Sequence, residues 1–316
     1  MKKLALPFIA LALIVSLIAS ACTHEEKLTI FHAGSLAVPF DEAGEAFMEQ
    51  NPDVTVQTES AGSRATIRKV TELGKLADII GSADYLAIEE LMFPDWADWY
   101  VIFATNEMVI AYTEKSKYHD EITADNWYQI LLRKGVEYGH SDPNADPCGY
   151  RTLMVWQLAE VYYGVPELYD MLNEGCPPQN ARPMEVDLIA LLQAGALDYA
   201  FEYRSVAIQH GLEYLSLPDE IDLSDFGLAD YYAQAEVEVT GEKPGTTTTL
   251  NGAPIAYGVT IPRNAPHPEL AISFLQFLLG PQGQAIMENC GQLPIVPAIA
   301  SDRDRLPVEL KEFVLP

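Results

Sequence analysis

LTIFHAGS at residues 28–35 and VTVQTESAGS at residues 54–63 each run from a short apolar or β-branched stretch into Ala-Gly-Ser. An amphipathic segment follows each copy. Leu36, Phe40, Ala43 and Phe47 recur at helical spacing after the first, and Ile67, Val70 and Leu73 after the second. The first helix is expected to stop at Asn51-Pro52 and the second at Gly74. A third strand, residues 77–80, runs into Gly81-Ser82-Ala83-Asp84. Strands alternating with helices predict an α/β fold, a parallel sheet with helices on both faces.

The pattern continues outward. Residues 108–112, 136–140, 197–203, 213–217 and 254–261 read as strands. Residues 127–132, 149–163, 184–193, 270–279 and 282–287 read as helices, and residues 241–251, with four successive threonines, as a polar loop. No long linker interrupts the chain. Two α/β lobes joined by two crossings fit best, one near Tyr112–Glu114 and the return near Asn251–Tyr257. Lobe 1 would hold residues 28–112 and 253–316, and lobe 2 residues 113–252, with the tail from Leu293 bracing the two. Such a layout suits a hinged trap that closes around a ligand.

The N-terminus has the parts of an export signal: Lys2 and Lys3, an apolar run from Leu4 to Leu17, then Ala19-Ser20-Ala21. That run is short for a membrane span, which needs roughly 20 apolar residues. Residues 1–21 are therefore expected to be a signal, and residues 22–27 a polar tether. Cys22 follows the small residues as in a lipobox, with Ala19 where Leu is commonest; a lipid there would hold the protein at the outer face of the cell membrane. The chain carries 19 Lys and Arg against 46 Asp and Glu, a formal charge of −27, without any basic run. A nucleic-acid partner is excluded on that ground, since phosphate contacts need clustered cations.

The remaining cysteines, Cys148, Cys176 and Cys290, have no zinc spacing. Cys148–Cys176 would close a loop over one helix, and outside the cell a disulfide is allowed. No metal ligand set emerges from the six histidines, and no GxSxG, HExxH or P-loop motif is present. The cluster from Arg64 to Lys69 is expected to face solvent.

The strand–AGS–helix repeat is the strongest chemical signal. Ligands of open α/β sheets sit beyond the carboxyl ends of strands. Helix N-termini there hold anions with unpaired N–H groups and no formal cation. Gly34 and Gly62 permit close approach of the backbone, while Ser35 and Ser63 each add a hydroxyl. The plainer alternative is that each serine only caps its helix. Asp146-Pro147-Cys148 opens the next helix and carries the same ambiguity. Glu202 lies near the end of strand 197–203, where a lone carboxylate is often solvated or paired with an arginine.

FHAGSLAVPF, ESAGSRATIRKVTELGKLADIIGSADY, DPCGYR, DYAFEYRSVA and FLLGPQGQAIMENCGQ, in that order, resemble the archaeal-type tungstate/molybdate-binding lipoproteins of ABC transporters, over roughly residues 28–298. The resemblance implies a type II periplasmic-binding fold. It implies a site for one tungstate or molybdate ion, no cofactor, no enzymatic activity, and a monomer that delivers its cargo to a membrane permease. Gly34, Ser35 and Ser63 match the turns that hydrogen-bond the oxyanion, and Asp146, Pro147 and Cys148 match a turn giving a carboxylate and N–H groups. Glu202 matches a second carboxylate and Glu220 a further site residue. In this family the metal is six-coordinate, so Asp146 and Glu202 are expected to bind the metal itself. Facing only the oxo groups, each carboxylate would be repelled by about 4 kcal/mol at an effective dielectric near 20.

Two other functions compete. One is a receptor for a different ligand such as sulfate, phosphate or iron. The other is a secreted hydrolase or transferase on the same lobes, using Asp146 and Glu202 as an acid–base pair.

Overall fold

The structure, a computed structural model, describes residues 26–241 and 245–316. The expected signal at residues 1–21, Cys22 where a lipid is expected, and the start of the tether lie outside these residues. Strands β1 (Glu26–Ala33), β2 (Val54–Ala61) and β3 (Ile79–Ser82) form one half of a six-stranded sheet. β1 lies between β2 and β3 and runs parallel to both, as helical crossovers require. Glu26 and Lys27, expected in the tether, pair with Val54 and Thr55 instead.

The other half of that sheet is antiparallel. β12 (Ala256–Thr260) pairs with β3 and with β4 (Val101–Thr105), and β13 (Leu293–Ala300) closes the edge against β4. The sheet is therefore mixed rather than parallel. Side-chain periodicity sets which face a residue occupies and says nothing of strand direction.

A second sheet is built from β5 (Met108–Tyr112), β6 (Tyr138–Ser141), β7 (Ala181–Arg182), β8 (Tyr199–Tyr203) and β9 (Glu213–Ser216), in the order β7-β6-β8-β5-β9. β5 pairs with β8 and β9, so residues 108–112, expected to close lobe 1, belong to the second sheet. The chain leaves the first sheet after Thr105 and re-enters it at Ala256. The expected loop at 241–251 ends in a strand, β11 (Thr247–Asn251), which forms an antiparallel hairpin with β10 (Glu236–Thr240). Its β-branched threonines suit a pleated, half-buried surface.

Helix Ala37–Gln50 buries Phe40, Ala43 and Phe47 as its spacing predicts. Phe274, from helix Pro268–Leu279, packs edge-on against Phe40 and Phe47 with centroids 6.4 and 5.4 Å away. In the second lobe Trp127 and Trp156 both pack edge-on against Phe201. Each such buried aromatic is worth about 1.5–3 kcal/mol. Two local expectations fail. Leu73 is 70% exposed because its helix, Ser63–Thr71, ends before it. Arg64 is fully buried, paired to Glu90 at 2.6 and 3.0 Å, rather than facing solvent. Among the described residues no single helix is long and apolar enough to cross a membrane.

Candidate functional site

The carboxyl ends of the strands meet at the interlobe cleft. β1 ends at Ala33 and turns at once into the short 3-10 turn Gly34–Leu36. β2 passes through Gly62 into helix Ser63–Thr71. In the second lobe β6 leads to Asp146 and helix Pro147–Tyr163. The lobes touch here: Ala65 N–H donates to Ala145 O at 3.2 Å, and a Cβ on Gly62 would stand only 2.4 Å from that carbonyl. Glycine is required for this approach.

The serines do not cap. The cap positions are Ala33 and Gly62, and neither turn has a side-chain cap bond. Ser35 and Ser63 sit inside the first turns, both fully buried. Their hydroxyls are committed as acceptors, which leaves their protons to give. Asn106 Oδ1 accepts from the N–H groups of Glu107 and Ser205. Its Nδ2 therefore donates to Tyr257 Oη at 2.8 Å, and Tyr257 donates to Ser35 Oγ at 3.1 Å. Ser63 Oγ accepts from Ala83 N–H at 2.9 Å. Two oriented O–H donors result, beside backbone N–H groups of two first turns.

Asp146 does cap its helix: Oδ1 accepts from Cys148 N–H at 3.2 Å, behind Pro147 in the first turn. Its Oδ2 accepts from Glu185 N–H at 2.9 Å. Glu185, which sequence reasoning passed over, is fully buried just before helix Asp187–Ala194. Both its carboxyl oxygens are buried against Gly34, and the only side chain that hydrogen-bonds them is the Asp146 carboxyl. It falls inside the expected helix 184–193, and the only signal for it is an acidic residue in that helix's first turn after the Arg182-Pro183 break.

Glu202 on β8 is also fully buried, with no side-chain partner for its oxygens. Strand alternation turns it away from the face of Tyr203, whose ring lies 6.2 Å from that of Tyr257 in the first lobe. Asp187 is among the charges that bear on it. Glu220 is half-buried in the turn after β9, with its charge bearing on Tyr231. Cys148, Cys176 and Cys290 are free thiols, so the Cys148–Cys176 bridge is not formed. Cys148 Sγ instead points at Phe201 O and Cys176 Sγ at Tyr138 O.

Burial pushes the Glu185 carboxyl well above its usual range, and the charge of adjoining Asp146 pushes it the same way. Burial likewise raises Asp146, against hydrogen bonds that lower it. Burial followed by the Asp146 charge raises Glu202. Three buried carboxyls in one region cannot all ionise without a positive centre among them. Among the described residues no three His, Cys, Asp or Glu are grouped to hold a bare metal ion. The arrangement suits a guest with a positive centre and an acceptor surface. Its centre would meet the carboxylates and its oxygens the serine turns.

Residues 28–291 match the family described as bacterial extracellular solute-binding protein. An uncharacterized solute-binding protein of Petrotoga mobilis is 56% identical, across 91% of this chain and 90% of the relative. A molybdate/tungstate-binding protein, WtpA of Pyrococcus abyssi, is 44% identical, also across 91% of this chain and 90% of its own. Among solved structures, the periplasmic molybdate-binding protein of Azotobacter vinelandii superposes with a TM-score of 0.62 at 17% identity, covering 84% of this chain and 98% of that one. The sulfate-binding protein SubI of Mycobacterium tuberculosis superposes with a TM-score of 0.59 at 15% identity, over 85% and 87%. At these identities the two structures speak to the two-lobe fold alone.

Proposed function

Because the chain belongs to the bacterial extracellular solute-binding protein family, we propose that it traps molybdate or tungstate between its lobes and delivers the oxyanion to an ABC transporter permease. One observation carries this reading: Glu185 presents a fully buried carboxyl, with no side-chain partner but the Asp146 carboxyl, against the Gly34-Ser35 turn. The 44% identity to a molybdate/tungstate-binding protein supports it.

In this reading the O–H groups of Ser35 and Ser63 and the first-turn N–H groups hold the oxo groups. Asp146 and Glu185 supply hard oxygen donors to the metal. We assign the role expected of Glu202 to Glu185 because Glu185 lies against Gly34; Glu202 also feels the Asp146 charge, and substitution separates the two. High-valent molybdenum and tungsten can expand their coordination to admit two carboxylates. Sulfur in sulfate and phosphorus in phosphate cannot, so the same carboxylates repel those ions. The two lobes close on the guest as a hinged unit. An export signal over residues 1–21 and a lipid on Cys22 would keep a monomeric protein beside its permease at the outer membrane face.

Calorimetric titration of the mature protein with tungstate, molybdate, sulfate and phosphate tests the proposal. The first two should bind at least a hundredfold tighter than the others. Equal binding of sulfate would refute the coordination argument.

A further inference from the structure

Arg151 is 3% exposed and lies on helix Pro147–Tyr163, packed over β6 and β8. It joins the two lobes at one point. Nη1 donates to Tyr203 Oη at 2.7 Å within its own lobe, and to Ala83 O at 2.8 Å across the cleft. Nη2 stands 3.7 Å from Asp84 Oδ2, which also accepts a 2.5 Å bond from Tyr150 Oη. Ala83 and Asp84 follow β3 in the first lobe. Asp84 is itself held by capping helix Tyr85–Met92 through Leu86 N–H at 3.0 Å.

The two sides of Ala83 connect this cluster to the oxyanion turns. Its N–H donates to Ser63 Oγ, and its carbonyl receives Arg151. A Ser63 hydroxyl positioned for an oxyanion thus also positions the peptide that Arg151 must reach. Buried charge-assisted bonds of this kind are strong when made and costly when broken, because Asp84 and Arg151 would each lose a partner.

We propose that Arg151 is a positioning residue that couples oxyanion capture at Ser63 to lobe closure, by clasping Ala83 and Asp84 of the opposite lobe. This rests on the cleft being the oxyanion site and not on which oxyanion fills it. Arg151 acts through Ala83, and Tyr150 completes the clasp on Asp84.

The test compares Arg151→Met, Asp84→Asn and Tyr150→Phe with the wild type in the full mature protein. Three quantities are read: dissociation rate by stopped flow, ligand-driven compaction by small-angle X-ray scattering, and melting of the unloaded protein. Arg151→Met should dissociate tungstate at least tenfold faster and lose most of the compaction. Asp84→Asn and Tyr150→Phe should shift both in the same direction by a smaller factor, with the unloaded melting temperature nearly unchanged. The two lighter variants decide the matter if Arg151→Met does not fold. A purely structural role would lower melting in both states and leave dissociation and compaction at wild-type values; that result overturns the clasp. Should the wild type bind sulfate and not tungstate, the metal-coordination reading fails on its own. The same variants measured with sulfate then decide the clasp by the same criteria.

Discussion

Glu185 closes directly over Gly34: a Cβ built at Gly34 would stand 2.9 Å from Oε2 and 3.0 Å from Oε1. The obstacle is the far end of a flexible side chain, so an alanine is accommodated by moving the carboxylate and not the backbone. Gly34→Ala should therefore leave the melting temperature within a few degrees of wild type. It should weaken tungstate binding by about tenfold or more, near 1.4 kcal/mol. Titration calorimetry beside thermal melting checks this. An unchanged affinity would place Glu185 outside the site.

The two glutamates separate by substitution. Glu185→Gln should remove most of the preference for tungstate over sulfate, because one donor to the metal and one repulsive charge go together. Glu202→Gln should keep that preference and raise the stability of the unloaded protein, since it removes a carboxyl that burial disfavours in its charged form. Parallel competition titrations read the preference. The opposite assignment of the two outcomes would return the metal-binding role to Glu202.

The serine donors form a polarised chain from Asn106 through Tyr257 to Ser35. Tyr257→Phe removes the bond that fixes the Ser35 hydroxyl as a donor and should cost about 1 kcal/mol of oxyanion affinity. Ser35→Ala with Ser63→Ala should cost about 2–3 kcal/mol together. Full affinity in the double variant would reduce both serines to packing.

Much of this site was readable in the sequence, because the information is local. Ala33-Gly34-Ser35, Ala61-Gly62-Ser63 and Asp146-Pro147-Cys148 are turn and cap patterns spanning three residues each. Glu185 is a different kind of residue. It falls at the start of a segment that reads as helix, 184–193, and only packing between residues 151 positions apart in the chain brings it to Gly34. The fold divides the same way. Residues 28–31 and 54–58 read as strands from their own composition. The assignment of residues 108–112 to the second sheet depends on pairing with β8 and β9, which no local pattern encodes. The β10–β11 hairpin was hidden by its threonines, polar enough to resemble a loop.

Away from the site, Asp222 offers a pH test. It is 4% exposed, accepts from Ser224 N–H at 2.8 Å, and is pushed up to about 7 by burial. The folded protein thus keeps a proton that the unfolded chain releases near pH 4. Stability from this group is present in full below pH 4 and is lost as pH rises toward 7. Asp222→Asn, which retains the acceptor, should flatten that decline and gain about 1–2 kcal/mol at pH 8 relative to pH 4. Denaturant melts across that range measure it. An unchanged slope would mean the carboxyl titrates normally.

Coordination of the guest is the most direct test of the account. X-ray absorption at the tungsten edge of the tungstate-loaded protein should give four short oxo distances and two longer oxygen distances, with the longer pair reduced to one in Glu185→Gln. A regular four-coordinate tungstate in the wild type, unchanged in the variant, would contradict it.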